Sequence, residues 1–198
     1  MRIIGVTGGI GCGKSEVLNF IASHYDATIM KADQIGHILM QKGRKCYTRI
    51  VDTFGEGILK ENGEIDRGKL AHIVFPRPEE LAKLNGIMHP AIKNYILHAI
   101  EKEKKIGTEY FIVEAALLLE DHYDDFCNEV WYIYADEDTR IERLKESRDY
   151  TEEKIVRIMA NQLTEEEFER RCGVEIDNSG DFSYTERQIR RRLGDEAM

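Results

Sequence analysis

The feature that most restricts the fold is the junction at residues 2–15. Arg2 to Thr7 holds Ile3, Ile4 and Val6, which predicts a buried strand. Four of the next six residues, Gly8-Gly9-Ile10-Gly11-Cys12-Gly13, are glycine. Lys14-Ser15 then opens a segment with Val17, Leu18 and Ile21 at three-to-four spacing, which predicts a helix over Lys14 to Tyr25. The stretch Gly8 to Ser15 fits G-x-x-x-x-G-K-[ST], and strand, glycine loop and helix in that order are what a phosphate-binding loop requires. The glycines let successive backbone N–H groups turn inward around a phosphate, and the helix N-terminus adds partial positive charge. Lys14 supplies a full charge for the β- and γ-phosphates, and the Ser15 hydroxyl is suited to Mg²⁺. An ordinary glycine-rich turn with a surface lysine is the plainer alternative.

The rest of the chain alternates strands and helices. A short strand, Ala27 to Lys31, is followed by helices over Gln34 to Gln41, with Asp33 as N-cap, and over Arg44 to Phe54. Gly55, Gly57, Asn62 and Gly63 mark a loop before a helix from Arg67 to Phe75, which Pro76 and Pro78 end. Helices over Glu79 to Asn85 and Ala91 to Lys105 follow, and Gly107 ends the second. Tyr110 to Val113 and Glu129 to Ala135 read as buried parallel strands. Helices over Glu137 to Ser147, Glu152 to Asn161 and Glu165 to Arg171 precede a last strand, Val174 to Asp177, and a last helix, Tyr184 to Leu193. Thr164 and Glu167 have capping-box spacing. The order implies a parallel α/β sheet with an α-helical excursion inserted after the second strand.

Composition narrows the partners. Lys plus Arg number 28 against 37 Asp plus Glu, a formal net charge of −9, which disfavours general binding to nucleic acid or anionic membranes. Positive groups that bind an anion must therefore be concentrated in one place. No uncharged apolar run approaches the roughly 18 residues of a membrane span, and the N-terminus runs straight into glycines without a signal-peptide pattern. The expected compartment is the cytoplasm. Cys12, Cys46, Cys127 and Cys172 form no C-x-x-C pair, so buried free thiols are expected rather than a zinc or redox site.

A phosphate loop alone leaves ATPase, GTPase, kinase and nucleotide sensor open. There is no N-K-x-D element for guanine recognition. The small size and the helical insertion favour a small-molecule kinase, with the insertion as acceptor pocket and a late Arg-rich segment as lid. Asp33 lies at the carboxyl end of the second strand and could accept a proton from an acceptor hydroxyl or simply cap a helix. Glu114 ends the third strand, where it could bind a metal ion through water or be simply a polar residue at a strand end. On an exposed helix, Arg140, Arg143 and Arg148 would ordinarily be solvated or paired with Glu at i+4. The run Arg187, Arg190, Arg191 and Arg192 reads as a solvated face, and Trp131 and Tyr132 as core.

At this point the chain resembles the dephospho-CoA kinase family. The resemblance is carried by GVTGGIGCGKS at 5–15, ADQIGH at 32–37, FGEGILKENGEIDRGKLAHIVF at 54–75, LNGIMHP at 84–90, ALLLE at 116–120, RIERLKESRD at 140–149 and IDNSG at 176–180. These elements keep the family's order along nearly the whole chain. The chain has Lys31-Ala32-Asp33 where the family usually has Asp-Ala-Asp, Ala116 where it usually has Pro, and Leu119 where it usually has Phe. It has Phe168 where the family often has Lys, and Cys172-Gly173 where it often has Ala-Asp.

The resemblance implies ATP-dependent phosphorylation of the ribose 3′-hydroxyl of dephospho-CoA. It implies a single P-loop domain over 1–198, with a three-layer, doubly wound parallel sheet of order 2-3-1-4-5. The core would be 1–34 and 108–198, the acceptor-binding helical insertion about 35–107 and the lid about 138–162. Gly8, Gly9, Ile10, Gly11, Cys12, Gly13, Lys14 and Ser15 would hold ATP, with Asn178 and Gly180 near its adenine. Ser15 and Glu114 would hold Mg²⁺. Lys14, Asp33, Arg143 and Arg148 would be catalytic, and Asp33, Arg67, His89, Leu117, Leu118 and Glu120 would face the acceptor. A monomer or weak homo-oligomer is expected, with no nucleic-acid or membrane partner. Another P-loop small-molecule or nucleotide kinase, or a non-catalytic nucleotide-binding regulator, remains the alternative.

Overall fold

The apolar run near the N-terminus becomes β1 (Arg2–Thr7), buried from Ile3 onward on both faces, as the centre of a covered parallel sheet demands. β2 (Ala27–Lys31), β3 (Tyr110–Glu114), β4 (Glu129–Tyr134) and β5 (Val174–Asp177) complete a five-stranded sheet of order β2-β3-β1-β4-β5, the expected one. The computed structural model describes residues 1–148 and 150–194. β1 runs parallel to β3, from Arg2 opposite Tyr110 to Val6 opposite Glu114. It also runs parallel to β4, from Ile4 opposite Glu129 to Thr7 opposite Tyr132, and β4 runs parallel to β5. The carboxyl ends of β1, β3, β4 and β5 therefore share one edge, where ligands bind in sheets of this kind.

The helices of this part are α1 (Lys14–His24), α6 (Glu137–Arg148), α7 (Glu152–Met159), α8 (Glu165–Arg171) and α9 (Phe182–Leu193). α1 buries Val17, Leu18, Phe20 and Ile21. They join Ile4, Ile112, Trp131, Ile176, Ile189 and Leu193 in one core. Each such side chain contributes about 1.5–3 kcal/mol on burial. Thr164 and Glu167 form the expected capping box at the start of α8.

The chain forms two compact units, one made of Met1–Ile29 and Ile106–Met198 and a second of Met30–Lys105. It contains α2 (Ala32–Leu39), α3 (Lys45–Phe54), α4 (Arg67–Val74) and nearly all of α5 (Pro78–Ile106). Its own core holds Cys46, Ile50, Ile58, Ile65, Leu70, Val74, Ile87 and Met88.

Two expectations are corrected in this unit. The helices expected on either side of Asn85 and Ala91 are one, α5, with Pro90 inside it. Proline costs a helix about 3 kcal/mol or more through its missing N–H. Here Ile87 and Met88 before it and Ile96 and Ile100 after it are all buried, which offsets that loss. His89 accordingly lies within α5. Asp33 is not an N-cap either: α2 begins at Ala32, its N-cap position is Lys31, and no side chain caps it. Asp33 stands in the first turn, where a negative charge complements the helix dipole. Among the described residues no helix is long and apolar enough to cross a membrane.

Candidate functional site

The loop between β1 and α1 leaves the start of α1 without a side-chain cap. Gly13 occupies the N-cap position of α1 with φ 85° and ψ 22°, and no side chain caps the helix. The left-handed backbone favours glycine there, and a Cβ would collide with Asn178 Nδ2. An uncapped start on an 11-residue helix presents N–H groups and a dipole to an anion, worth about 0.3–2 kcal/mol.

Lys14 and Arg143 both approach this loop. Lys14 Nζ donates to the carbonyls of Gly8 at 2.7 Å and Gly9 at 3.1 Å, so its ammonium is held by the loop itself. Arg143 Nη1 lies 3.5 Å from the position a Cβ would take on Gly13. That nitrogen is buried and makes no hydrogen bond among the described residues. A buried guanidinium donor left over in a protein marks a place for an acceptor from outside it. Arg148 closes α6, and its side chain lies outside the described residues.

Asn178 sits differently from the expectation of an adenine contact. It is fully buried. Its Nδ2 donates to the Cys12 carbonyl at 2.9 Å, and its Oδ1 accepts from the Thr185 hydroxyl at 2.9 Å. Its amide thus holds the phosphate loop rather than facing outward. Gly180, two residues on, is exposed with open space around it. Cys12 is buried at 1% exposure and contributes backbone to the loop.

Sequence reasoning undervalued one residue here and missed another. Arg140 Nε donates to the Ile10 carbonyl at 2.9 Å, and the Ile10 N–H donates to Gln162 Oε1 at 2.9 Å. Arg140 lies three residues before Arg143, which places both on one face of α6, and that spacing was visible in the sequence. Gln162 lies in the turn between α7 and α8, where no local pattern distinguishes it.

α6 itself starts at a fixed point. Asp136 accepts from the Thr139 N–H at 2.8 Å and the Thr139 hydroxyl at 2.9 Å, while its own N–H donates to Ser179 Oγ at 3.0 Å. The Thr139 N–H, then its hydroxyl, hold the Asp136 carboxyl below the usual carboxylate range.

Two oxygen donors suit a hard cation such as Mg²⁺. Ser15 is exposed in the first turn of α1. Glu114 ends β3 opposite Val6, two residues before Gly8. Of the segment after β3, Leu117 is half-exposed and Glu120 exposed, but Leu118 is fully buried. Leu118 Cδ1 would lie 3.0 Å from a Cβ on Gly5, so its side chain is core and cannot present a surface to an acceptor.

The second unit holds Asp33, Arg67 and His89. Asp33 is exposed. α2 and α5 approach where Gly36 meets Ile92 and Met88, at 3.5 and 3.7 Å from a Cβ placed on the glycine. Asp33 is one turn before that contact, and His89 follows Met88. Arg67 is exposed as the first residue of α4. The preceding Asp66 caps that helix, accepting from the Gly68 N–H at 2.9 Å and the Lys69 N–H at 3.1 Å.

Comparison with known proteins agrees in sequence and in fold. The family model for dephospho-CoA kinase matches residues 2–183. A dephospho-CoA kinase of Carboxydothermus hydrogenoformans is 35% identical over 189 residues, covering 96% of this chain and 91% of the relative. One from Geobacillus kaustophilus is 37% identical, covering 94% of this chain and 92% of the relative. Among solved structures, a Thermus thermophilus protein superposes with a TM-score of 0.80 at 24% identity, covering 100% of this chain and 98% of the other. The dephospho-CoA kinase of Campylobacter jejuni superposes at 0.73 and 24% identity, covering 98% and 97%.

Proposed function

The chain belongs to the dephospho-CoA kinase family and phosphorylates dephospho-CoA to coenzyme A, and we propose that the loop Gly8–Ser15 with Lys14, Arg143 and Asp33 carries out that transfer from ATP. The observation that carries the assignment is the buried, unbonded Nη1 of Arg143 over an uncapped helix start that Lys14 also serves.

In the reaction the ribose 3′-oxygen forms a bond to the γ-phosphorus, and the bond from that phosphorus to the β,γ-bridging oxygen breaks. ADP leaves with the electron pair. The hydroxyl proton goes to the Asp33 carboxylate and from there to solvent. Phosphoryl transfer asks the protein mainly for position and for neutralisation of charge. The loop amides hold the polyphosphate. Lys14 and Arg143 stand against charge that builds on the transferring oxygens. A cation about 4 Å from such an oxygen is worth about 4 kcal/mol at an effective dielectric constant of about 20. Ser15 and Glu114 would hold Mg²⁺, which would supply neutralisation of phosphate charge.

Asp33 is supported as the base by its freedom from the capping role that competed for it. Arg67, His89, Leu117 and Glu120 are assigned to acceptor contacts, residues about 35–107 to the acceptor-binding insertion and about 138–162 to the lid. Asn178 is assigned to support the loop, with Gly180 at the adenine. The reading takes the enzyme to be cytoplasmic and a monomer or weak homo-oligomer. With a net charge of −9 it has no nucleic-acid partner.

The test is incubation with ATP, Mg²⁺ and dephospho-CoA, followed by mass analysis. The expected product gains one phosphoryl group on the ribose. ADP release that dephospho-CoA does not stimulate, with the acceptor mass unchanged, overturns the assignment.

A further inference from the structure

We propose that Gln162 is a positioning residue for the phosphate loop, fixing the loop's tip and Arg140 in one arrangement so that ATP meets both already in place. Gln162 Oε1 accepts from the Ile10 N–H at 2.9 Å and from Arg140 Nη2 at 3.4 Å. Arg140 Nε donates to the Ile10 carbonyl at 2.9 Å. Both polar groups of the Ile10 backbone are thus taken by side chains from another part of the chain, 152 and 130 residues away. Arg140 also lies against Gly9, where a Cβ would collide with its guanidinium.

The turn that carries Gln162 borders a cleft of about 570 Å³, lined by Tyr132, Arg140, Leu163, Thr164 and Phe168 among others. The polar contacts with Ile10 and Arg140 join the turn to the loop. A carboxamide suits the place chemically. Its oxygen accepts from an amide and a guanidinium at once, yet it adds no negative charge beside a triphosphate. A Glu would pair more strongly with Arg140 but repel the nucleotide. The contribution comes through preorganisation: a loop and an arginine already ordered lose less entropy when ATP arrives.

This inference rests on the reading of Gly8–Ser15 as the ATP site, and its test separates the two. Gln162→Leu keeps the bulk and removes the acceptor, and Gln162→Ala removes both. Each is measured beside the unaltered enzyme for the KM of ATP, the KM of dephospho-CoA, kcat and thermal midpoint. The expected result in both variants is a KM for ATP raised at least threefold. The KM for dephospho-CoA should stay within twofold, and the midpoint within about 2 °C. A structural role alone would not separate the two KM values. A KM for ATP raised less than threefold overturns the inference, as does a parallel rise in both KM values with a lowered midpoint. If the unaltered enzyme itself fails to phosphorylate dephospho-CoA, the ATP-site reading fails and takes the inference with it.

Discussion

Asn178 Nδ2 donates to the carbonyl oxygen of Cys12 at 2.9 Å, a bond between residues 166 positions apart. It ties the turn after the last strand to the loop after the first. The same side chain accepts from Thr185 in α9, so one buried amide joins the loop, β5 and the last helix. Its Nδ2 stands where a Cβ on Gly13 would be, and a side chain at Gly13 would push the two segments apart.

Replacing Asn178 with Ala should therefore do two things. It orphans the Cys12 carbonyl and one bond of the Thr185 hydroxyl, costing about 1–3 kcal/mol of stability. It should also raise the dissociation constant for ATP severalfold, because the loop loses its buried anchor. Urea denaturation and an ATP titration of the same variant check both. An unchanged ATP affinity would show that the loop keeps its shape without the bond.

Lys14→Ala should lower kcat by about 10²–10³-fold, because a charge contact to the transferring phosphoryl group is lost. Lys14→Arg should recover little. Lys14 Nζ reaches the carbonyls of Gly8 and Gly9 within the loop, and a planar guanidinium does not fit a site shaped for a compact ammonium. Steady-state kinetics with saturating ATP decide the matter, and turnover near the normal level in Lys14→Ala would remove the lysine from the reaction.

For Asp33→Asn the expected signature is a kcat reduced at least about 10²-fold with ATP affinity within twofold. The thermal midpoint should hardly move, because Lys31 and not Asp33 occupies the N-cap position of α2. A fall in the midpoint with normal turnover would make Asp33 a structural residue. Isothermal titration, thermal melts and a coupled ADP assay supply the three readings.

The start of α6 predicts a pH dependence of stability. Hydrogen bonds from the Thr139 N–H and hydroxyl hold the Asp136 carboxyl below its ordinary value. A carboxyl with a depressed folded-state pKa stabilises fully above its unfolded value, about 3.9, and loses that contribution as pH falls through the lower folded value. Asp136→Ala should cost about 1 kcal/mol at pH 7, the usual cost of a lost cap. That difference from the unaltered chain should shrink as pH falls below about 4. Urea denaturation at pH 7 and pH 3 measures it, and a difference that stays constant would show that the charge is irrelevant. Arg140 and Arg143 ride on this helix, so its start matters to the loop.

Legibility differed between local and distant features. The strand, glycine loop and helix at residues 2–24 were readable because their signals are local: β-branched residues, then glycines, then apolar spacing near 3.6. The boundary at Pro90 misled because proline's local cost outweighs its neighbours only where burial does not offset it, and Ile87, Met88, Ile96 and Ile100 are all buried. The cap at Asp33 misled for a related reason. The chain passes from β2 into α2 without a spacer, and Ala32, nearly buried, is already helical. Leu118 looked like part of an acceptor motif, but its side chain packs on Gly5 in the sheet.

The sequence by itself determined the succession of strands, the strand–glycine loop–helix junction of residues 2–24 and the family. Each depends on residue types at short spacing. Only the tertiary structure decided which distant side chains serve that loop: Asn178 beneath it, Arg143 over Gly13, and Arg140 with Gln162 at Ile10. Those residues come from α6, the turn between α7 and α8, and the turn after β5. They meet the loop because parallel pairing brings the carboxyl ends of β1, β4 and β5 to one edge. Side-chain direction at that edge depends on strand register and helix placement, which spacing along the chain does not encode.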